Sequence, residues 1–485
     1  MFKPFAGFVG GSYKSASWKA STQRCVNLFL EEDPEQGAVL YNTPGQFAVA
    51  TFGFAPVLAM ETTPSGLLVV TADGLYWAQD FQDNAFIGVS TILLTSSAYA
   101  IVAQANDKLM VVNGDQAFAI DRTAQTVSII TGDDFPTNPI SCAAVDGYFL
   151  VHGPDTDKFY WSAPFDPTSW DPLDFATAEN LNDKLQRIVV LERDVYLIGS
   201  LSTEIWATTA DEQVFQRIQG TYIPFGTNAR LSPGVIGQNL YFLSQDQQGG
   251  SVVIRARGLQ WERVTTQAIE AEVAGYLVTE DAFSLTYQQG GHPFYCLTFP
   301  TARKTWCYDF STGFWHERST QILDPVQPNQ SPPFSYVPGA WSARCHAYFR
   351  NTNFVGSSSG PGVSRLGTDI YTDNNVDIIR TRTTPHVSDS QNFMTIAGIQ
   401  VVFRPGVGDG SGVGASTNPK ARLRISRDGG QTYRSAREVS IGRQGNYLGR
   451  AVWWRLGRAR DFVAEVTISA RVPVAINGAG IDLVP

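Results

Sequence analysis

The sequence predicts an all-β protein: a β-propeller of six or seven blades followed by a C-terminal β-sandwich. Three observations lead there. Seven times between residues 66 and 371, a four- to six-residue β-type run is followed by a turn and a second such run, with successive starts roughly 40 to 55 residues apart. Self-similarity at that period marks small sheets repeated around an axis. The 44 Gly and 26 Pro, with 12% aromatic residues, suit short strands punctuated by turns. Finally, the charge divides. Residues 1–375 carry 21 basic and 37 acidic residues, a balance of −16; residues 376–485 carry 14 Arg and one Lys against eight acids, a balance of +7. An acidic body with a basic end reads as two modules with different surroundings.

Residues 1–54 are expected to complete the propeller or dock on it. Strand candidates at 24–30 and 38–41 flank a turn at 33–37, and Thr43-Pro44-Gly45 ends the second. A ring of blades must protect its sheet edges, which gives such a segment its use. The N-terminal stretch lacks a sustained apolar core and does not read as a signal peptide. No run of 18 apolar residues occurs, so no membrane-spanning helix is expected.

Residues 55–371 hold the repeats. The first runs are 67–70, 108–112, 148–151, 195–198, 240–243, 294–299 and 346–349. Each unit is read as ending in an aromatic-rich strand, as at 75–77, 159–161, 204–206 and 305–308, where bulk fills the wedge between blades. Helix candidates are confined to 176–184 and 265–274. The Pro-rich stretch 321–340 and the Gly/Ser stretch 356–364 read as surface loops, the first a possible contact arm.

Residues 376–485 form the Arg-rich sandwich, with strands expected at 378–384, 396–403, 420–426, 451–456, 463–472 and 474–483. The Gly-rich stretch 405–419 lacks the pattern of a phosphate loop and leads into no helix, so it reads as a flexible hairpin tip. Arg in place of Lys favours ordered, two-pronged contacts. In Trp453-Trp454-Arg455, adjacent side chains point to opposite faces. One Trp belongs to the core; the other, with Arg455, Arg458 and Arg460, is a candidate interface.

Little points to chemistry. The five His (152, 292, 316, 346, 386) are scattered, no two of the five Cys are spaced C-x-x-C, and no metal site is expected. The thiols are expected to stay reduced. No nucleophile motif occurs, and no cofactor is called for. One enzyme-like signature is present. Ser426-Arg427-Asp428-Gly429-Gly430-Gln431-Thr432-Tyr433 matches the Asp-box of sialidase-like propellers, with Tyr in the aromatic place. That box is a turn device: Asp ties the loop backbone and Gly takes positive φ. A carbohydrate-binding or sialidase-like propeller is the alternative reading it raises, and a cellular propeller scaffold is a third.

These pieces together resemble the packaged-DNA stabilisation proteins of short-tailed bacteriophages, the tail hub or nozzle family. The resemblance rests on Arg24-Cys25-Val26-Asn27-Leu28 followed by Leu40-Tyr41-Asn42-Thr43-Pro44-Gly45. It continues through Asp194-Val195-Tyr196-Leu197-Ile198-Gly199-Ser200 with Ser202-Thr203-Glu204-Ile205-Trp206. It then takes in the turn 426–433, Val452-Trp453-Trp454-Arg455-Leu456-Gly457-Arg458, and the closing Val472-Pro473-Val474. It implies a non-enzymatic structural protein of the virion tail, assembled in the host cytoplasm. The implied form is a ring, usually a hexamer, below the portal and its adaptor. Such a ring closes the exit channel, touches double-stranded DNA only transiently, and holds fibres or spikes and a plug or needle.

Overall fold

The computed structural model describes residues 1–484 apart from 15–20, 34–36, 84, 88–89, 94–97, 125, 179–182, 210–212, 246–248, 324–335, 391 and 410–414. Among the described residues, five separate four-stranded antiparallel sheets, with a four-stranded part of a ten-stranded sheet and of a six-stranded sheet, form a ring of seven blades. Blade 1 runs Val57–Thr63, Gly66–Thr71, Gly74–Ala78 and Ser90–Leu93; blade 2 runs Ile101–Ala105, Lys108–Val112, Ala117–Asp121 and Thr126–Ile129. Blades 3 to 6 begin at Ser141–Val145, Leu185–Leu191, Gly234–Ile236 and Phe283–Gln289. Blade 7 is assembled from distant pieces. Ala343–Phe349, Thr352–Ser357 and Gly362–Gly367 supply three strands, and Gly45–Thr51 adds the outermost, with Leu366 opposite Gln46.

In blades 1 to 6 the visible repeat is the second and third strands, preceded by a weaker strand on the axis side; in blade 7 the run 346–349 falls on the first strand, Ala343–Phe349. In Gly66–Thr71 and Gly74–Ala78 every residue is buried. Strands covered on both faces read as continuous apolar runs. The aromatic-rich strand is accordingly the third, and a fourth follows it in the blades. Bulky rings fill the gaps between blades: Phe159 of blade 3 meets Trp206 of blade 4 edge-on at 5.2 Å. The helix expected at 176–184 is replaced at its start by the strand Trp170–Thr177, and 179–182 lie outside the described residues. The other candidate forms as Gln267–Val273, its Ala268, Ile269 and Val273 buried against blades 5 and 6.

The innermost strands line an open cavity of about 180 Å³ that includes Glu61, Tyr99, Arg187 and Arg344.

The sandwich packs two sheets. One orders Ala451–Ala459, Met394–Phe403, Ala475–Val484, Gly37–Asn42 and Leu28–Asp33. The other orders Cys25–Val26, Arg380–Thr383, Asp461–Ile468, Lys420–Ser426 and Arg437–Ser440. Between them lies a core that includes Phe8, Leu40, Ile399, Leu423, Trp453, Leu456 and Phe462. The N-terminal segment therefore divides: Leu28–Asp33 and Gly37–Asn42 join the sandwich, and Gly45–Thr51 joins the ring. The Gly-rich stretch 405–419 is no hairpin tip, because the strands on either side of it belong to different sheets; 410–414 lie outside the described residues. Most of the Pro-rich arm also lies outside them, while its base is pinned by Thr320–Leu323 pairing with Tyr336–Gly339.

Candidate functional site: the ring–sandwich junction and the arginine face

Ring and sandwich share a sheet. The outer strand of blade 6, Trp315–Arg318, pairs in parallel with Cys25–Val26 (Glu317 opposite Val26), and Cys25–Val26 pairs with Arg380–Thr383 of the sandwich. The N-terminal motif is what makes this weld. Asn27 sits at φ 54, a left-handed conformation that Asn tolerates better than most residues. Its amide nitrogen donates to Ser319 O and Ile379 O, both at 2.9 Å, and its Oδ1 accepts from Ser319 N at 2.9 Å. One side chain thus ties ring to sandwich. At the Pro-Gly of the same motif, Pro44 O accepts from Arg318 at 2.9 Å, and a Cβ on Gly45 would lie 2.4 Å from Ile370 O.

Charges reinforce the weld. Arg24 forks onto Glu317 at 2.9 and 2.8 Å, and Lys304 reaches the same carboxylate at 3.2 Å. Burial pushes the Glu317 carboxyl up, but the Arg24 hydrogen bonds and charge, with Lys304, outweigh it and hold the pKa at about 2. Arg318 is buried, stacked 3.7 Å from the Trp341 ring and bonded to Tyr287 Oη at 3.0 Å. Arg382, fully buried, donates to the carbonyls of Gly7, Phe8 and Gly11 at 2.9, 2.5 and 2.9 Å and to Gln23 Oε1 at 2.8 Å. It staples the first dozen residues to the sandwich. Nothing in the sequence separates these buried arginines from exposed ones.

The C-terminal motifs hold each other. In the turn 426–433, Asp428 Oδ1 accepts from the amides of Gln431 and Thr432 at 3.1 and 3.0 Å, and Gly429 and Gly430 take φ 74 and 96. Burial would raise the Asp428 carboxyl, but hydrogen bonds from Ser426 and Thr432 bring it down to about 2. Arg427 then reaches across to donate to Leu456 O at 2.5 Å. Its guanidinium lies where a Cβ on Gly457 would stand, which explains Gly there, at φ 93. Arg437 donates to Trp454 O at 2.9 Å. These side chains cover carbonyls of Ala451–Ala459, the edge strand of its sheet, and discourage indiscriminate edge pairing. The middle motif is likewise structural: Asp183 accepts from the amides of Leu201 and Ser202 at 2.8 Å each.

The five residues singled out from sequence do not share one role. Trp453 is buried in the sandwich core and donates Nε1–H to Arg437 O at 2.9 Å. Trp454 is 53% exposed and packs on Phe2 at 5.1 Å between ring centroids. Arg455, at φ 58 in an irregular stretch of the ladder, is exposed, as are Arg458 and Arg460. Arg458 and Arg460 both stack on the half-exposed Phe393, at 4.8 and 4.4 Å. Phe2 and Phe393, which complete this aromatic–arginine face, carry no sequence signal.

Comparisons with known proteins now have a structure to attach to. The family model described as "Bacteriophage P22 Gp10, beta-propeller" matches residues 87–327, and "Bacteriophage P22 Gp10, beta-sandwich" matches 379–484. No curated protein matches. Among solved structures, the crystal structure of the N-terminal domain of Nup159 and an S. cerevisiae Dbp5 complex with Nup159, Gle1, IP6 and ADP are similar in part. Each is 8% identical over 70% of this chain and 98% of the other, with a TM-score of 0.40, which is too low to carry an argument. Ring and sandwich, each matched in order along one chain, place this protein in the family of bacteriophage P22 Gp10, the packaged-DNA stabilisation proteins of the phage tail.

Proposed function

We propose that this protein is the non-catalytic hub, or nozzle, of a short phage tail. Several copies form a ring, with a hexamer as the expected number, beneath the portal and its adaptor. The ring closes the exit channel over packaged DNA and offers attachment to fibres or spikes and to a plug or needle. Assembly takes place in the host cytoplasm, and the finished ring resides in the virion tail.

The observation that carries this reading is the exposed face of Trp454, Phe393, Arg455, Arg458 and Arg460 on a basic sandwich welded to an acidic ring. Aromatic and Arg anchors are the side chains that dominate protein interfaces, and opposite charges on the two modules favour docking one copy's sandwich on an acidic neighbour. The channel in this reading is the space enclosed by several chains. An acidic wall there binds phosphate weakly and lets DNA slide. The Asp-box residues are engaged in holding a turn, and no observation favours a glycosidase.

Light scattering and negative-stain imaging of the purified chain, alone and with an adaptor ring, test the proposal. Discrete multi-subunit rings are expected, and Arg455→Ala with Arg458→Ala should weaken them. A wild-type chain that stays monomeric under both conditions would defeat the reading, as would nanomolar, steeply salt-dependent DNA binding by the basic face.

A further inference from the structure

A concave site rich in arginine lies in the weld itself. A pocket of about 380 Å³ opens between blade 6 and the sandwich, lined by Arg24, Arg303, Lys304, Arg318, Arg422 and Arg424 against Glu317 and Glu465. The two acids are already engaged. Glu317 takes Arg24 and Lys304, and Glu465 takes Arg424 at 2.8 and 2.5 Å. Glu438 reaches Arg422 from outside the lining, at 2.8 Å. Lys420 shares Glu438 with Arg422, and Arg318 turns its guanidinium to Tyr287 and Pro44, so Arg24, Arg303, Lys304, Lys420, Arg422 and Arg424 stand against three carboxylates, a surplus of three positive charges in a chain whose net charge is −9. Behind the pocket, Arg318 is 2% exposed and committed to Tyr287 Oη, Pro44 O and the Trp341 ring. At the rim, Arg303 is exposed and held at φ 55 on the turn before Lys304–Asp309.

We infer that this junction pocket is a binding site for a phosphate-class oxyanion. Concentrating like charge in a concave, partly desolvated site is unfavourable unless an anion answers it. Planar guanidinium forks present paired donors to the oxygens of such an anion. A doubly charged phosphate matches the surplus better than one carboxylate does. Because the lining comes from both modules, the bound anion would brace ring against sandwich. The same chemistry could be supplied by free phosphate or by a nucleic-acid backbone.

Isothermal titration of the full-length protein with inorganic phosphate, at constant ionic strength set by chloride, tests this. The expected result is one phosphate per chain, with affinity falling at least about tenfold in the Arg303→Gln, Arg422→Gln double variant. Both substituted residues are exposed, so folding should survive, and circular dichroism checks it. Arg443→Gln, exposed on the sandwich away from the pocket, should bind as the wild type does. A short duplex oligonucleotide that displaces phosphate would name the backbone as the source; failure to displace it would name the free ion. Heat no different from dilution, equal binding by the double variant, or acetate binding as well as phosphate would each overturn the inference. The readout does not depend on ring assembly.

Discussion

Replacing Glu317 with Gln probes the weld directly. The Glu317 side chain is 6% exposed and holds two cations, each about one-third exposed. Its pKa of about 2 stands against an ordinary 4.5. A separation of roughly 2.5 pH units, at ~1.36 kcal/mol each, corresponds to about 3 kcal/mol of pH-linked stability. The folded value is the lower one. The contribution is therefore complete above about pH 4.5 and is lost as pH falls through about 2. Glu317→Gln should cost about 3 kcal/mol at pH 7, at the low end of the ~3–5 kcal/mol typical of breaking a buried pair, because Arg24 and Lys304 can both reach water. Urea unfolding followed by tryptophan fluorescence, from pH 7 to pH 3, is the assay. Every other titrating group is common to both proteins, so their difference isolates this carboxylate. It should shrink to about 1 kcal/mol at pH 3. A difference that stays constant across that range would refute the argument that the charge of Glu317 holds the junction.

Other outcomes follow from the same geometry. Arg382→Met strands the carbonyls of Gly7, Phe8 and Gly11, so it should cost about 3–5 kcal/mol and expose the first dozen residues to protease, read by urea unfolding and limited trypsinolysis. Trp453→Ala should cost about 3–5 kcal/mol in unfolding experiments by opening a cavity in the sandwich core, whereas Trp454→Ala should stay within about 1 kcal/mol and reduce ring formation in light scattering. Burial pushes the thiols of Cys25, Cys142 and Cys345 up to about 12, so Ellman's reagent at pH 8 should find them inert in the native protein and reactive in denaturant.

The ring was legible because the middle strands of each blade are apolar on both faces, as Gly66–Thr71 shows. The blade count was not. Blade 7 takes its outer strand from Gly45–Thr51, some three hundred residues away from its partner, and no periodicity reports such a pairing. The expected helix at 176–184 failed where tertiary pairing with Lys158–Ser162 claimed Trp170–Thr177 as a strand. In the candidate face, alternation along a strand separates Trp453 from Trp454, as the pleat requires. Which Trp turns inward depends on the partner sheet, and the partnership of Phe393 with Arg458 and Arg460 depends on a loop whose path the sequence does not show. The excess of arginine also misleads in part, since Arg380 and Arg382 serve the interior.

The strand that closes blade 7 imposes an order on synthesis. Gly45–Thr51 leaves the ribosome early, yet Gly362–Gly367, its partner, follows only after six blades have been translated. The hairpin Leu28–Asp33 and Gly37–Asn42 waits longer still, for Ala475–Val484. Nascent blades therefore accumulate with both ends of the circle open, and closure is a late, long-range event of the slow kind. A host chaperone that shields those unpaired edges would raise the yield of soluble chain, and translation stalled before residue 362 would release a product with no means of shutting its ring.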